Sequence, residues 1–537
     1  MKKAGLIIVL FVSILTANAQ QPWSQRAAAT VMSTGVDTSS SLTYARGLVL
    51  EGIANVWMQT GDKKYFNYVE TQMDSFISPA GIIKVDSSNF ADKVIFGRLA
   101  LLLFKVTEKA KYYKAVLQIR SQIKDRFPIP DKIAHDATIS EPFFAEYAAA
   151  FHADSALNLI PQQLISADKR ILFERKKLRY YAEVAANLVD VLDQLPEASP
   201  KRDELINMLN RLAVKINDFQ YENTNYYSPC IIVYAFAKAA REGYLPAKYL
   251  AIAQKEYHQA LAGHIPFSSE KKTEVTGAFI LASVEIERLQ NLSAANGKIV
   301  LLDSYFNDEH HKDITGKIVS YHYKWDEMTN NGFSTFGHVF NNYGFKTQTL
   351  YDAPTAQNLS KASVYIIVDP DIPAENPNTK YIESAHIKAI SNWVKNGGLL
   401  VVLNNDTGNA EFAHLNKLMA KFGIQYNLDS RNDVQGNQFE TGAIDIPAGN
   451  AIFKTAKKVH IKGISTLKVT TPATSPLTDK GDVIIAVAKY GKGTVFAVGD
   501  PWFYNEYTDG RKLPYDFQNF EAANDLVKWL SEQLPQK

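Results

Sequence analysis

His135-Asp136-Ala137-Thr138-Ile139-Ser140-Glu141-Pro142-Phe143-Phe144-Ala145-Glu146-Tyr147 is the stretch from which the first half of this chain can be read. Its second part is apolar at helical spacing and predicts a helix beginning near Thr138. His135 and Asp136 then stand at the helix entrance, where polar side chains cap backbone N–H groups that lack a partner. The competing reading gives one of them proton chemistry, since an imidazole titrates near neutrality and a carboxyl can be tuned to do so.

The same three-and-four spacing of apolar residues runs outward from Trp23 to about Asn291. It predicts helices near 24–34, 42–60, 62–78, 89–106, 109–126, 138–151, 154–168, 170–195, 200–219, 227–242, 246–262 and 270–291. Thr60-Gly61-Asp62-Lys63-Lys64-Tyr65-Phe66 is echoed by Thr107-Glu108-Lys109-Ala110-Lys111-Tyr112-Tyr113, and again near Leu245–Leu250. Each echo opens a helix with a polar turn and an aromatic anchor. Repeated helical hairpins bury one face only by packing on their neighbours. Helices of about 14 residues with linkers of about 6 fill most of this segment and leave little for long loops.

Glu141–Tyr147 resembles glycoside hydrolase family 105 and its relative family 88, the unsaturated rhamnogalacturonyl and glucuronyl hydrolases. Those proteins carry Asp-Gly-Leu-Tyr-Met-x-x-Pro-Phe in this place. Counting back seven residues from Pro142 puts His135 at the acid position, with Asp136 one place off. The resemblance implies a closed (α/α)6 toroid that removes a Δ4,5-unsaturated uronic acid by hydrating its vinyl ether. Asp92-Lys93-Val94-Ile95-Phe96-Gly97-Arg98 is similar to the family's Asp-x-Val/Ile-x-x-Gly-Arg, which implies that Asp92 faces the pocket. An exposed first-turn carboxylate is the bland alternative. In this reading Gly97 permits close packing and Arg98 forms a structural ion pair. Of the family's Trp-Gly-Arg-x-x-Gly-Trp segment, only Arg175 is kept, with Phe173 and Tyr180 as aromatic substitutes for sugar contact. The helices therefore match while the catalytic candidates Asp92, His135 and Asp136 stand in eroded surroundings.

From about residue 298 strands alternate with helices, as in Leu399–Leu403 after the Asn396-Gly397-Gly398 helix stop. This predicts a doubly wound, flavodoxin-like or amidotransferase-like α/β domain over 298–537. The segment resembles the amidotransferase-like domain often fused behind family 105 hydrolases, through Leu302–Asn307, Tyr323–Glu327, Asn331–Ser334 and Gly499–Trp502. An amidotransferase needs a cysteine at a strand-to-helix turn, and the only cysteine is Cys230, in the apolar run Tyr227–Ala240. Cys230 reads as a packed core thiol. Ligands of such sheets bind beyond the carboxyl ends of the strands. That edge offers Asp303, Tyr305, Asp369, Asp371, Asn404, Asn405, Asp406, Asp500 and Trp502 for sugar hydroxyls; the bland reading makes them turn and N-cap residues.

Lys2 and Lys3, the apolar stretch Leu6–Leu15 and Ala17-Asn18-Ala19 form a secretory leader over 1–19. The expected product is a periplasmic or secreted protein with domains 20–292 and 298–537 and no membrane anchor. A net charge of +2 does not suggest nucleic acid as a partner. No metal spacing is present, and no cofactor is expected. The expected partner is an oligosaccharide containing uronic acid. The expected function is a catalytically impaired relative that binds glycan or a pathway partner; an active hydrolase is the alternative.

Overall fold

The computed structural model describes residues 21–35, 43–84, 89–124, 133–173, 177–219, 226–262, 273–292 and 295–534, with backbone only at 124, 133–138, 154 and 167–173. Its first half is helical. The helices are α1 (Trp23–Thr34), α2 (Tyr44–Thr60), α3 (Lys63–Phe76), α4 (Phe90–Thr107), α5 (Ala110–Lys124), α6 (Ile133–Ala150), α7 (Asp154–Phe173), α8 (Leu178–Gln194), α9 (Arg202–Asn217), α10 (Tyr227–Glu242), α11 (Lys248–Ala262) and α12 (Thr273–Leu289).

The even-numbered helices form a ring: α2 packs on α4, α4 on α6, α6 on α8, α8 on α10, α10 on α12, and α12 back on α2. The odd-numbered helices lie outside, α3 against α2, α5 against α4 and so on, with α1 against α12. Sequence sorts the two layers. α9 buries Leu205, Met208, Leu209, Leu212, Ala213 and Ile216, a single stripe suited to a helix with one wet face. α10 is buried almost all round, as a helix between an outer layer and a ring axis must be. Two glycines set the closeness of the inner helices. A Cβ on Gly277 of α12 would lie 2.8 Å from the α2 backbone at Leu48 and Val49, and one on Gly97 of α4 would lie 2.8 Å from the Phe143 ring.

Three boundaries depart from the sequence reading. α6 begins at Ile133, so His135 and Asp136 lie inside the helix rather than capping one that starts at Thr138. Ala134 and Ala137 favour the helix, and an acidic Asp136 suits its positive end. α7 runs on to Phe173, and α8 starts at Leu178 rather than near 170.

The second half is a covered sheet. Its strands are β1 (Ile299–Asp303), β2 (His310–Lys312), β3 (Ile318–Ser320), β4 (Lys346–Leu350), β5 (Ala362–Val368), β6 (Leu399–Leu403), β7 (Ile424–Tyr426), β8 (Ala443–Asp445), β9 (Lys458–His460), β10 (Leu467–Val469), β11 (Ala473–Asp479), β12 (Asp482–Tyr490) and β13 (Gly493–Val498). The order β4-β1-β5-β6-β13 is parallel, and β12, β10 and β7 continue it antiparallel. β12 is thus a hairpin partner of β13 and not, as its apolar run suggests, one of the crossover strands. Helix α13 (Ser334–Asn342) and the C-terminal helix (Asn519–Glu532) cover one face, and Ser384–Lys395 covers the other. His310 and His311 lie on the exposed β2–β3 ribbon.

The two halves meet at the carboxyl ends of the inner helices. Trp57 Nε1–H donates to the Asp509 carbonyl at 2.8 Å, Arg288 Nε–H to Asn342 Oδ1 at 2.8 Å, and Arg511 Nη1–H to the Val106 carbonyl at 3.1 Å. Cys230 is fully buried, and burial pushes its thiol up to about 12.

Glu141 of α6 is 1% exposed, and neither carboxyl oxygen has a hydrogen-bond partner among the described residues. Burial pushes it up to about 8. Its folded value lies above the unfolded one, so the stability it allows is full below about pH 4.5 and falls as the pH rises towards 8. Glu141→Gln should match the wild type in acid and exceed it increasingly between those limits, by up to about 1.4 kcal/mol per pH unit. Denaturant midpoints measured across this range test it; a difference that does not change with pH would count against it.

Candidate functional site

The amino-terminal halves of the inner helices surround a cavity of about 510 Å³. Its wall takes Tyr44 and Glu51 from α2, Asp92 and Arg98 from α4, Ile139 from α6, Arg179, Glu183 and Asp190 from α8, Tyr234 from α10 and Glu274 from α12. The positive ends of aligned helix dipoles converge on this mouth, which favours a ligand with negative charge or lone pairs.

The rim is a linked chain of polar groups. Asp92 Oδ1 accepts the Tyr44 backbone N–H at 2.6 Å, tying α4 to the first turn of α2. The Tyr44 and Tyr227 hydroxyls are 3.3 Å apart, and Tyr227 donates to Glu183 Oε1 at 2.8 Å. Arg179 donates to Glu183 at 3.0 Å, forms an ion pair with Glu274, and lays its guanidinium 4.3 Å from the Tyr227 ring centre. Burial holds the Tyr44 and Tyr227 hydroxyls protonated, far above the ordinary range.

The floor is ionic. Arg98 bonds Glu51 at 2.9 Å, Glu146 at 2.8 Å and Asp190 at 3.0 Å. Lys238 bonds Asp190 at 2.8 Å and Asp193 at 2.7 Å. Burial raises the Asp190 carboxyl, but Lys238 and Arg98 more than offset it and leave it below the ordinary range. Burial prevails at Glu51, which is pushed up to about 7 despite Arg98. Beneath this floor lies a second cavity of about 500 Å³, which shares Glu51, Arg98 and Tyr234 and has Met328, His338, Asn341 and Thr347 of the α/β half in its wall.

Of the residues singled out from sequence, Asp92 lines the upper cavity. His135 and Asp136 lie four and three residues before the cavity-lining Ile139, the register that shares a helix face. Their side chains, that of Phe173 and the whole of Arg175 lie outside the described residues. Tyr180 is buried edge-on against Tyr181, next to Arg179. Asp303, Tyr305, Asp406, Asp500 and Trp502 gather elsewhere, at the carboxyl edge of the sheet. Sequence reasoning passed over Tyr44, Glu51, Glu183 and Glu274. Their signal was a charge or hydroxyl interrupting an otherwise apolar helix, as Glu51 does between Leu50 and Ile53.

The described wall of the upper cavity is a helical ring mouth lined by carboxylates, tyrosines and one rim arginine. Residues 17–130 and 181–287 match the family described as Glycosyl Hydrolase Family 88, so the likeness to uronyl hydrolases is at family level over the N-terminal half. The match leaves out 131–180, the stretch that holds His135, Asp136, Phe173, Arg175 and Tyr180. Among solved structures, the chain is similar to a family 105 glycoside hydrolase of C. acetobutylicum ATCC 824, at 21% identity over 50% of this chain and 99% of that one, with a TM-score of 0.45. It is also similar to a family 88 glycosyl hydrolase from Bacteroides vulgatus, at 15% identity over 49% and 96%, with a TM-score of 0.41. A possible family 105 member from Salmonella enterica serovar Paratyphi A matches at 12% identity over 50% and 93%, with a TM-score of 0.42.

Arg98→Leu would leave the buried Asp190 and the partly buried Glu51 and Glu146 without their common partner. A loss of about 3–5 kcal/mol in unfolding free energy is expected, read from denaturant midpoints at neutral pH.

Proposed function

We propose that the ring cavity binds the uronic-acid end of an oligosaccharide, in a protein exported for polysaccharide breakdown by the leader at 1–19. The observation that carries this is the position of Asp92. Its carboxylate is held in the wall of an open polar cavity by the first turn of α2, beside tyrosines able to flank a sugar ring. Binding with little or no turnover is the first reading. The cations lining the cavity among the described residues, Arg98 and Arg179, are each bonded to carboxylates of the protein, and His135 stands where the family keeps its acid.

The start of α6 favours a second reading, an active hydrolase. A helix that begins at Ile133 carries Asp136 on the register of Ile139, the cavity-lining position, and vinyl-ether hydration needs a carboxyl able to act as acid and base. On either reading the α/β half has no amidotransferase chemistry, since the one thiol in the chain is in the ring.

The mature protein should bind a Δ4,5-unsaturated uronyl disaccharide saturably by calorimetry, and Asp92→Ala should weaken that at least about tenfold, or 1.4 kcal/mol. Absence of saturable binding to the wild type would sink the proposal. Loss of the vinyl-ether ultraviolet absorbance, abolished by Asp136→Ala, would establish the active reading over the binding one.

A further inference from the structure

The carboxyl ends of four neighbouring parallel strands bring a row of polar side chains together at one edge of the sheet in the α/β half. Asp303 closes β1, Asp369 follows β5, Asn404 follows β6, and Asp500 lies just past β13; each is 3% exposed or less. Asp303 is accounted for by the Tyr365 hydroxyl at 2.7 Å and the Phe306 N–H at 2.7 Å. The other three are not. Asp369 Oδ2 accepts from Asn405 Nδ2 at 3.0 Å and the Tyr323 hydroxyl stands beside the carboxyl, but no well-formed hydrogen bond reaches its Oδ1 among the described residues. The same is true of Asn404 Oδ1, Asp500 Oδ1 and, two residues along from Asp369, Asp371 Oδ1. Asn404 is no part of an acidic cluster; it is a neutral amide set on the strand between Asp369 and Asp500, its oxygen idle. Each idle buried acceptor costs roughly 1–3 kcal/mol, so four at one sheet edge are a large burden for no structural return.

The strand order says why they collect here. β1 pairs with β4 on one side and β5 on the other, and crevices open beyond the carboxyl ends where the winding reverses. The chemistry of the edge selects its ligand. Every idle atom is an acceptor oxygen, so an anion that brings no hydrogen-bond donor does not fit. No trio of His, Cys, Asp or Glu among the described residues is placed to hold a metal ion. What remains is a ligand that brings several hydrogen-bond donors and no charge. Burial supports the same conclusion, since it pushes Asp369 and Asp500 well above the ordinary carboxylate range and so leaves a charged ligand little counter-charge. Tyr305 and Asn405, both half-buried, stand at the outer rim.

We propose that this sheet edge is a second saccharide site, separate from the ring cavity, in which Asp369, Asn404 and Asp500 accept hydroxyl protons of a neutral sugar. The proposal does not depend on the ring binding anything.

The test uses the intact mature chain carrying Asp92→Ala, titrated by calorimetry with glucose, galactose and lactose, none of which bears a uronate. Saturable binding to at least one is expected, weakened tenfold or more by Asn404→Ala. Asp500→Asn keeps shape and fold and provides the second variant; it should raise the melting temperature of the empty protein while weakening the same sugar. Absence of binding to all three sugars, binding unchanged in both variants, or calcium chloride raising the melting temperature through these residues in place of a sugar would each overturn the proposal. Because the sugars are neutral and the ring site is disabled, failure of uronyl binding and failure of this site are read separately.

Discussion

The ring depends on the ionic lattice along its axis. Six helices packed in a circle leave a central space too wide for apolar side chains from opposite sides to meet. Arg98 fills it by reaching Glu51, Glu146 and Asp190 on three other helices, and Lys238, Arg241 and Arg288 continue the chain to Asp193 and Glu285. Every inner helix gives at least one member. Burying so many charges is tolerable only when each is paired, and a surplus of carboxylates must shed charge by keeping protons. Glu51, pushed up to about 7, does that. The lattice therefore determines both how the ring closes and how deep its cavity runs.

The placement of the two halves follows from helix direction. All inner helices point the same way, so one end of the ring gathers backbone N–H groups and the other gathers carbonyls. The carbonyl end is met by donors from the second half, such as Arg511 to Val106, and sends its own donors, Trp57 and Arg288, across in return. At the N–H end, the described residues surround the upper cavity. Gly510 lies close against the Gly61 carbonyl, so the seam is tight at backbone level.

Much of this was legible in the chain itself, for identifiable reasons. α9 and α3 show clear stripes because one face of each is wet. The run Leu399–Leu403 after two glycines reads directly as a buried parallel strand. Other features were hidden. Periodicity cannot distinguish an inner helix from an outer one, so nothing in the sequence singles out Glu51 and Asp190, although they stand on the axis. The sequence places the start of α6 too late because His135 and Asp136 look like caps of a helix beginning near Thr138, whereas Ala134 and Ala137 carry the helix back to Ile133. The direction of β12 was written in Tyr490-Gly491-Lys492-Gly493, a hairpin turn too short for any crossover. Asp303 and Asp500 were noticed as edge residues, but only coordinates separate the first, fully bonded, from the second, left with an idle oxygen.

The shared floor of the two cavities has one more consequence. Because Arg98, Glu51 and Tyr234 stop the bore midway, the ring is a cul-de-sac and no polymer can be threaded through it. On the proposed reading, whatever enters backs out by the same door, so the pocket would inspect a tip of a chain but never its middle. A long polysaccharide would then have to be cut into pieces elsewhere before this protein had many tips to meet.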